Sequence, residues 1–173
     1  MDLTLISASN RKGNRTSDVA AFYQQLLTEK QHNVQLLDLQ TLDSQMLVEG
    51  ATGKKVEGLH AVITEYLLNK EKIMVVVPEY NGSIPGIFKL LIDAIHPEFW
   101  AGKKVALAGI SAGRSGNMRG LDHLTAIFHY LQMEVLSYKI NIPAVRSVLD
   151  DGIENDSALA NRIARQILLL EKF

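Results

Sequence analysis

The sequence Ile73-Met74-Val75-Val76-Val77 is an unbroken apolar run that ends at Pro78. A strand with one face in water alternates apolar and polar residues, whereas a parallel strand covered by helices on both faces is apolar throughout. The run therefore predicts a central strand of an α/β sheet. The segment that follows it, residues 78–86, contains two prolines and two glycines, which indicates a stiffened loop.

On both sides of this run, strand-like segments alternate with segments whose apolar residues recur at helical spacing. The other strands are predicted at residues 3–6, 34–39, 105–110 and 134–138. The helices are predicted at residues 17–30, 59–67, 87–95, 118–131 and 158–171. This alternation predicts a single α/β domain over residues 1–173, a doubly wound sandwich of three layers. Residues 40–55 contain two glycines and are predicted to form a loop with an irregular helix start.

The composition is that of an ordinary globular domain and gives no sign of a highly charged partner. The net charge is -1, so neither nucleic acid nor an anionic membrane is indicated as a partner. No segment approaches the ~18 consecutive apolar residues of a membrane span. The chain has no cysteine, which excludes disulfides and thiolate chemistry, and no basic leader precedes the first strand. We therefore expect a cytoplasmic protein.

Ligands of open parallel sheets bind beyond the carboxyl ends of the strands, which directs attention to three loops. The first loop, residues 7–17, supplies hydroxyls, amides and three cations just before a helix N-terminus, where a phosphate dianion binds favourably. Its candidate phosphate contacts are Ser9, Arg11, Asn14, Arg15 and Thr16. The alternative is that Thr16 or Ser17 caps the helix and the cations are solvated.

The second loop, residues 78–86, suits one edge of a planar heteroaromatic ring. Tyr80 offers an aromatic face and a hydroxyl, and Asn81 and the backbone amides offer hydrogen bonds. The alternative is that the Asn81-Gly82 dipeptide only reverses the chain.

The third loop, residues 111–119, is rich in small residues that let the backbone approach a ligand, and Asn117 is placed to cap the next helix. If a reduced flavin lay there, backbone N–H groups would stabilise its negative charge. A purely structural glycine loop is the alternative.

Together the three loops resemble the NADPH-dependent FMN reductase family, which includes flavin-dependent quinone, azo-dye and chromate reductases. The resemblance runs from about residue 3 to about residue 135, and residues 78–86 with the following Phe88-Lys89 and Ile92-Asp93 are its most specific part. Ala8-Ser9-Asn10-Arg11 resembles the family's Gly-Ser-x-Arg phosphate loop, and Ser111-Ala112-Gly113 its third flavin loop. Ala8 in place of glycine and Asn14 in place of a frequent serine are departures.

The resemblance implies a flavodoxin-like fold with strand order 2-1-3-4-5 and an FMN site. The first loop would hold the phosphate. The isoalloxazine would be lined by Pro78, Glu79, Tyr80, Asn81, Gly82, Ser83, Ser111 and Gly113. NADPH, or NADH, would reduce flavin N5 by hydride transfer. An electrophilic acceptor (free flavin, a quinone, an azo compound or a metal oxyanion) would then be reduced in ping-pong turnover, with no catalytic acid–base pair. A homodimer or homotetramer is also implied.

Other functions are considered against the same residues. Gly109-Ile110-Ser111-Ala112-Gly113 matches the nucleophile elbow of serine hydrolases, but the only later histidines, His123 and His129, fall inside a predicted helix and no later loop supplies a base. A flavodoxin-type electron carrier is usually acidic, unlike this nearly neutral chain. A flavin-binding sensor without turnover stays open. The five histidines show no metal-ligand spacing, so no metal site is predicted.

Overall fold

A computed structural model describes residues 1–173, with strands and helices alternating along most of the chain. The strands are β1 (Asp2–Ser7), β2 (Asn33–Asp38), β3 (Lys72–Pro78), β4 (Lys104–Ile110), β5 (Glu134–Val135) and β6 (Ile140–Ile142). The helices are α1 (Arg15–Glu29), α2 (Ser44–Ala51), α3 (Glu57–Tyr66), α4 (Gly86–Ala94), α5 (Met118–Tyr130), α6 (Val145–Asp150) and α7 (Ser157–Lys172). No helix is both long enough and apolar enough to span a membrane.

All pairs in the sheet are parallel, and the strand order is β2-β1-β3-β4-β5, with β6 also pairing with β4. This is the flavodoxin-like order, and it confirms the prediction. Strand β3 lies between β1 and β4 and is buried from Ile73 to Pro78, as expected for the apolar run that defined it.

Helices cover both faces of the sheet, so the molecule has two apolar cores. On one face, α3, α4 and α5 pack against the sheet through residues such as Leu59, Phe88 and Leu124. Trp100 is fully buried in this layer, with its ring 6.2 Å from that of Phe128. On the other face, α1, α6 and α7 pack through a second cluster that includes Tyr23. The predicted three-layer sandwich is thus confirmed.

The fifth strand differs from its prediction at residues 134–138. The chain pairs with β4 at Glu134–Val135, leaves the ladder, and returns at Ile140–Ile142. The carbonyl of Tyr138, which lies outside the ladder, accepts a hydrogen bond from Gln166 Nε2 of α7 at 3.0 Å. A side-chain amide therefore replaces strand pairing at this point. The strand position ends at Ile142 rather than residue 138, and the unpredicted helix α6 follows it.

Residues 40–55 also differ from the prediction, because they contain a regular helix, α2. Asp43 caps it, with its carboxylate accepting from the Gln45 N–H at 2.9 Å. Gly50, which suggested a loop, lies in this helix where it packs closely on α3 and α4. A Cβ at Gly50 would lie 2.6 Å from Leu59 Cδ2 and 3.1 Å from Ala94 Cβ. The glycine is required for close packing and not for a turn.

Candidate functional site

A cavity of about 510 Å³ lies at the carboxyl ends of the central strands. It is lined by parts of all three loops and by the start of α6: residues 11–16, 78–80, 110–112 and 145–146. A depression of about 600 Å³ against α3 is larger, but it lies away from the strand ends. We take the first cavity as the candidate site because convergent polar groups at strand ends are typical of ligand sites in this fold class.

The first loop is organised around Asn14, which caps α1. Its Oδ1 accepts from the Ser17 N–H at 2.9 Å, and its Nδ2 donates to the Arg11 carbonyl at 2.7 Å. Neither Thr16 nor Ser17 is the cap, since α1 begins at Arg15 and the Ser17 hydroxyl donates to Asp38 Oδ2 at 2.8 Å. The amide group of Asn14 is therefore used within the loop itself.

Tyr80 joins the second loop to the first through two contacts. Its hydroxyl lies 2.7 Å from Ser9 Oγ, and Ser9 is fully buried. The guanidinium of Arg11 lies over the Tyr80 ring, 3.8 Å from its centroid. A cation–π contact of this kind contributes roughly 0.5–1 kcal/mol at an exposed position. Ser9 thus lies beneath the cavity lining and supports Tyr80, whereas Arg11 is part of the lining.

The cavity carries an excess of positive charge. Four cations line it, namely Arg11, Lys12, Arg15 and Arg146, against one carboxylate, Glu79. Arg15 is paired with Asp18 at 3.3 Å and is 4.0 Å from Asp150. The Glu79 carboxylate accepts a hydrogen bond from the Ser115 hydroxyl of the third loop.

The N-terminus of α1, where Thr16 is buried, adds its N–H groups and the positive end of the helix dipole to the same end of the cavity. This end of the cavity therefore favours an anion.

The second loop forms a tight hairpin. The N–H of Tyr80 donates to the Ser83 carbonyl at 2.9 Å, and the N–H of Ser83 donates to the Tyr80 carbonyl at 3.1 Å. Asn81 and Gly82 both have positive φ, 53° and 74°, as in a two-residue type I′ turn. The Asn-Gly dipeptide therefore does reverse the chain. Asn81, Gly82 and Ser83 lie outside the cavity lining, and Ser83 Oγ instead lies 2.7 Å from Nδ1 of His123 on α5.

The third loop uses the Ser111 hydroxyl on its own backbone. The Ser111 hydroxyl donates to the Gly113 carbonyl and accepts from the Gly116 N–H, both at 2.9 Å. Gly113 lies outside the cavity lining, whereas Ser111 is part of it. Asn117 holds the N-cap position of α5, but the prediction that it caps the helix is wrong: its amide donates to the Val77 carbonyl at 3.1 Å.

Gly109 lies where the third loop folds back onto β4. A Cβ there would lie 2.4 Å from the Gly116 carbonyl oxygen. The first glycine of the Gly-x-Ser-x-Gly stretch is thus explained by close backbone packing.

The sequence analysis missed the contribution of α6, which brings Val145 and Arg146 to the cavity. The helix is attached to the third loop, because the Ala144 N–H donates to the Gly113 carbonyl at 2.8 Å and the Val145 N–H to the Ser111 carbonyl at 3.0 Å. Ligands bind beyond the carboxyl ends of strands. A prediction that ended the fifth strand at Ile142 instead of residue 138 would therefore have indicated Val145 and Arg146.

Comparison with known proteins gives a family match over most of the chain. Residues 1–145 match the family described as NADPH-dependent FMN reductase, in agreement with the resemblance of the three loops. A 2-hydroxy-1,4-benzoquinone reductase from a Burkholderia species is 31% identical over 77 residues, which is 42% of each chain. An NAD(P)H-dependent FMN reductase from Pseudomonas aeruginosa is 30% identical over 108 residues, which is 60% of this chain and 56% of that one. The chain spans about half the length of these relatives.

Solved structures show the same fold. The flavoenzyme NAD(P)H:(acceptor) oxidoreductase FerB from Paracoccus denitrificans superposes with a TM-score of 0.75. The alignment covers 99% of this chain and 97% of that one at 18% identity. At such low identity the likeness supports the architecture alone.

Proposed function

Because the chain belongs to the NADPH-dependent FMN reductase family, we propose that it is an FMN-dependent oxidoreductase that takes reducing equivalents from NAD(P)H and passes them to a small electrophilic acceptor. Membership confirms the predicted enzyme class and the predicted cofactor pair, FMN with NAD(P)H, at the level of the family. The observation that carries the proposal for this chain is the cavity at the strand ends, where four cations and the N-terminus of α1 meet apolar surface from Pro78, Tyr80 and Ile110.

The residues of the cavity fit FMN. Its volume of about 510 Å³ lies within the ~300–1,000 Å³ range of small-molecule sites. Arg11, Lys12 and the first turn of α1 would hold the phosphate, while Pro78, Tyr80 and Ile110 offer apolar surface for the ring. Since Asn14 is used as the cap and Ser9 is buried under Tyr80, we assign phosphate binding mainly to the cations and to backbone N–H groups.

The chain's own residues bind and position, and the cofactor supplies the chemistry. Bound FMN would supply the redox chemistry, which is hydride transfer from reduced nicotinamide to the flavin and then reduction of an acceptor. Tyr80 is held on both sides by Ser9 and Arg11, so its ring has a fixed orientation at the cavity. The bond from Ser115 to Glu79 joins the third loop to the second.

The alternatives differ in their support. A serine hydrolase requires a base at Ser111, whose hydroxyl instead donates to the Gly113 carbonyl within its own loop. Nothing in the geometry of the cavity supports that function. An electron carrier or a sensor would use the same FMN site and differs only in turnover with NAD(P)H.

The test is an absorbance titration of the purified protein with FMN, followed by anaerobic addition of NADPH. Flavin bands that shift on binding and bleach with NADPH support the proposal. Binding without bleaching favours the carrier or sensor, and no binding at all rejects the FMN site. Turnover is then measured with a quinone, free flavin, an azo dye and chromate, and parallel double-reciprocal plots would support ping-pong order.

We also propose a cytoplasmic location, as the composition indicates, and a homodimer or homotetramer, as the family resemblance implies. Tyr130, 85% exposed, lines an apolar groove with Ile92 and Ile127 between α4 and α5, and this is the surface that we expect a second copy to cover. Light scattering of the purified protein measures the oligomer, and a charged substitution in the groove, Ile127→Glu, should shift it toward the monomer.

A further inference from the structure

The start of α6 is held at the cavity by an unusual backbone conformation. Ala144, which directly precedes the helix, has φ 47° and ψ 42°, in the left-handed region that residues other than glycine seldom occupy. Such conformations are energetically unfavourable and are found preferentially at functional sites. The two backbone hydrogen bonds from Ala144 and Val145 to the third loop fix this geometry. The next residue, Arg146, is thereby kept at the cavity wall.

Arg146 is a cation without a carboxylate partner. Asp150, the acidic residue of its own helix, lies 4.0 Å from Arg15 instead. Arg146 takes part in none of the ion pairs of the molecule, and neither do Arg11 and Lys12. Like charges collected around one cavity repel one another unless an anion lies between them. The guanidinium fork of arginine is suited to two hydrogen bonds from a single phosphate.

We propose that Arg146 binds a phosphate monoester and supplies the cationic end of the site from α6, in addition to the first loop. This inference rests on the proposed function, because the phosphate would be carried either by FMN or by the 2′-position of NADPH. The two sources share their chemistry and differ in which ligand loses affinity when Arg146 is changed.

The experiment compares Arg146→Gln with Arg162→Gln. Arg162 is an exposed residue of α7 outside the cavity, so both variants remove one positive charge from the surface. Dissociation constants for FMN and for riboflavin, which lacks the phosphate, are measured by flavin fluorescence, and KM values for NADPH and NADH by turnover. Since Arg146 is itself exposed, thermal unfolding of both variants should match that of the wild type.

If the FMN phosphate is the ligand, Arg146→Gln weakens FMN binding about tenfold and leaves riboflavin unchanged, and added salt reduces the difference. If the 2′-phosphate of NADPH is the ligand, FMN binding is unchanged and KM rises about tenfold for NADPH but not for NADH. In both cases the FMN dissociation constant and the NADPH KM of Arg162→Gln stay within about twofold of the wild-type values. Arg146→Lys, which keeps the charge, recovers part of the affinity that Arg146→Gln loses.

Unchanged constants for all four ligands, or an equal loss for FMN and riboflavin, would overturn the role of Arg146. A wild-type protein that binds no FMN would instead reject the proposed function, so the two failures are distinguished in one titration series.

Discussion

The first and third loops both follow strands of the sheet, yet they use their polar side chains in opposite ways. In the third loop the Ser111 hydroxyl and the Asn117 amide bond to nearby backbone, and they fix the shape of the wall. In the first loop Asn14 alone makes the cap, while Arg11 and Lys12 make no ion pair. One wall of the cavity is therefore specified by packing and the other by charge, and substitutions should affect them differently.

The largest effect is expected for Gly109→Ala, which tests the packed wall. The added Cβ would lie 2.4 Å from the Gly116 carbonyl oxygen, so the loop must move, and overpacking of this kind costs roughly 1–3 kcal/mol. We expect that loss in the free energy of unfolding by urea, together with weaker FMN binding. The control is Gly113→Ala, where a Cβ meets nothing within 4 Å. Equal stability of the two variants would contradict the packing argument.

Tyr80→Phe tests the contact between the first and second loops. It leaves the buried Ser9 hydroxyl without its partner at 2.7 Å but keeps the ring under Arg11. Ser9 Oγ then keeps only a long hydrogen bond from the Arg11 N–H, at 3.4 Å. Loss of a buried hydrogen-bond partner costs about 1–3 kcal/mol, so we expect lower stability and about fivefold weaker FMN binding. Tyr138→Phe is the matched control, because Tyr138 lies outside both the cavity and the groove between α4 and α5 and its hydroxyl makes no hydrogen bond. If the two variants have the same unfolding midpoint, the Ser9 contact does not stabilise the site.

Substitutions of Asn14 test whether its amide group caps α1 or binds the FMN phosphate. Asn14→Ala removes the cap of α1 and should lower the free energy of unfolding by about 1 kcal/mol. Asn14→Asp should keep the cap at the Ser17 N–H but lose the hydrogen bond from Nδ2 to the Arg11 carbonyl, so its stability should also fall. It should in addition weaken FMN binding several-fold, because it adds a negative charge near the phosphate end. Urea unfolding and FMN titration of both variants give the answer. Loss of FMN binding by Asn14→Ala with unchanged stability would make Asn14 a ligand instead of a cap.

The smallest effect is expected at Arg15. Its guanidinium is paired with Asp18 at 3.3 Å on the surface, and such pairs contribute about 0–1 kcal/mol. Arg15→Gln should therefore change stability little and weaken FMN binding by no more than about twofold. Arg11→Gln, which removes a cation without an ion-pair partner from the same loop, should weaken FMN binding more. If Arg15→Gln weakens FMN binding more than Arg11→Gln does, Arg15 and not Arg11 is the main phosphate contact of the first loop.

The sequence predicted the central elements and the three loops because those signals are local. An apolar run such as residues 73–77 indicates a buried strand without reference to the rest of the chain. The edge of the sheet was harder to predict, because the return of the chain at Ile140–Ile142 depends on pairing with residues 108–110 of β4. Because the end of this strand was placed too early, Arg146 was not predicted as a site residue. The packing role of Gly50 could not be predicted for a similar reason, since it depends on contact with Ala94, which lies far along the chain.

The position of Trp100 gives the molecule an internal optical reporter. It is the sole tryptophan of the chain, and it is fully buried beside Phe128 in the layer that contains α4 and α5. Its emission should therefore be that of an indole in an apolar environment and should move to longer wavelength when this layer unfolds. Because flavins absorb in the range where tryptophan emits, energy transfer from Trp100 would report flavin binding without any added label.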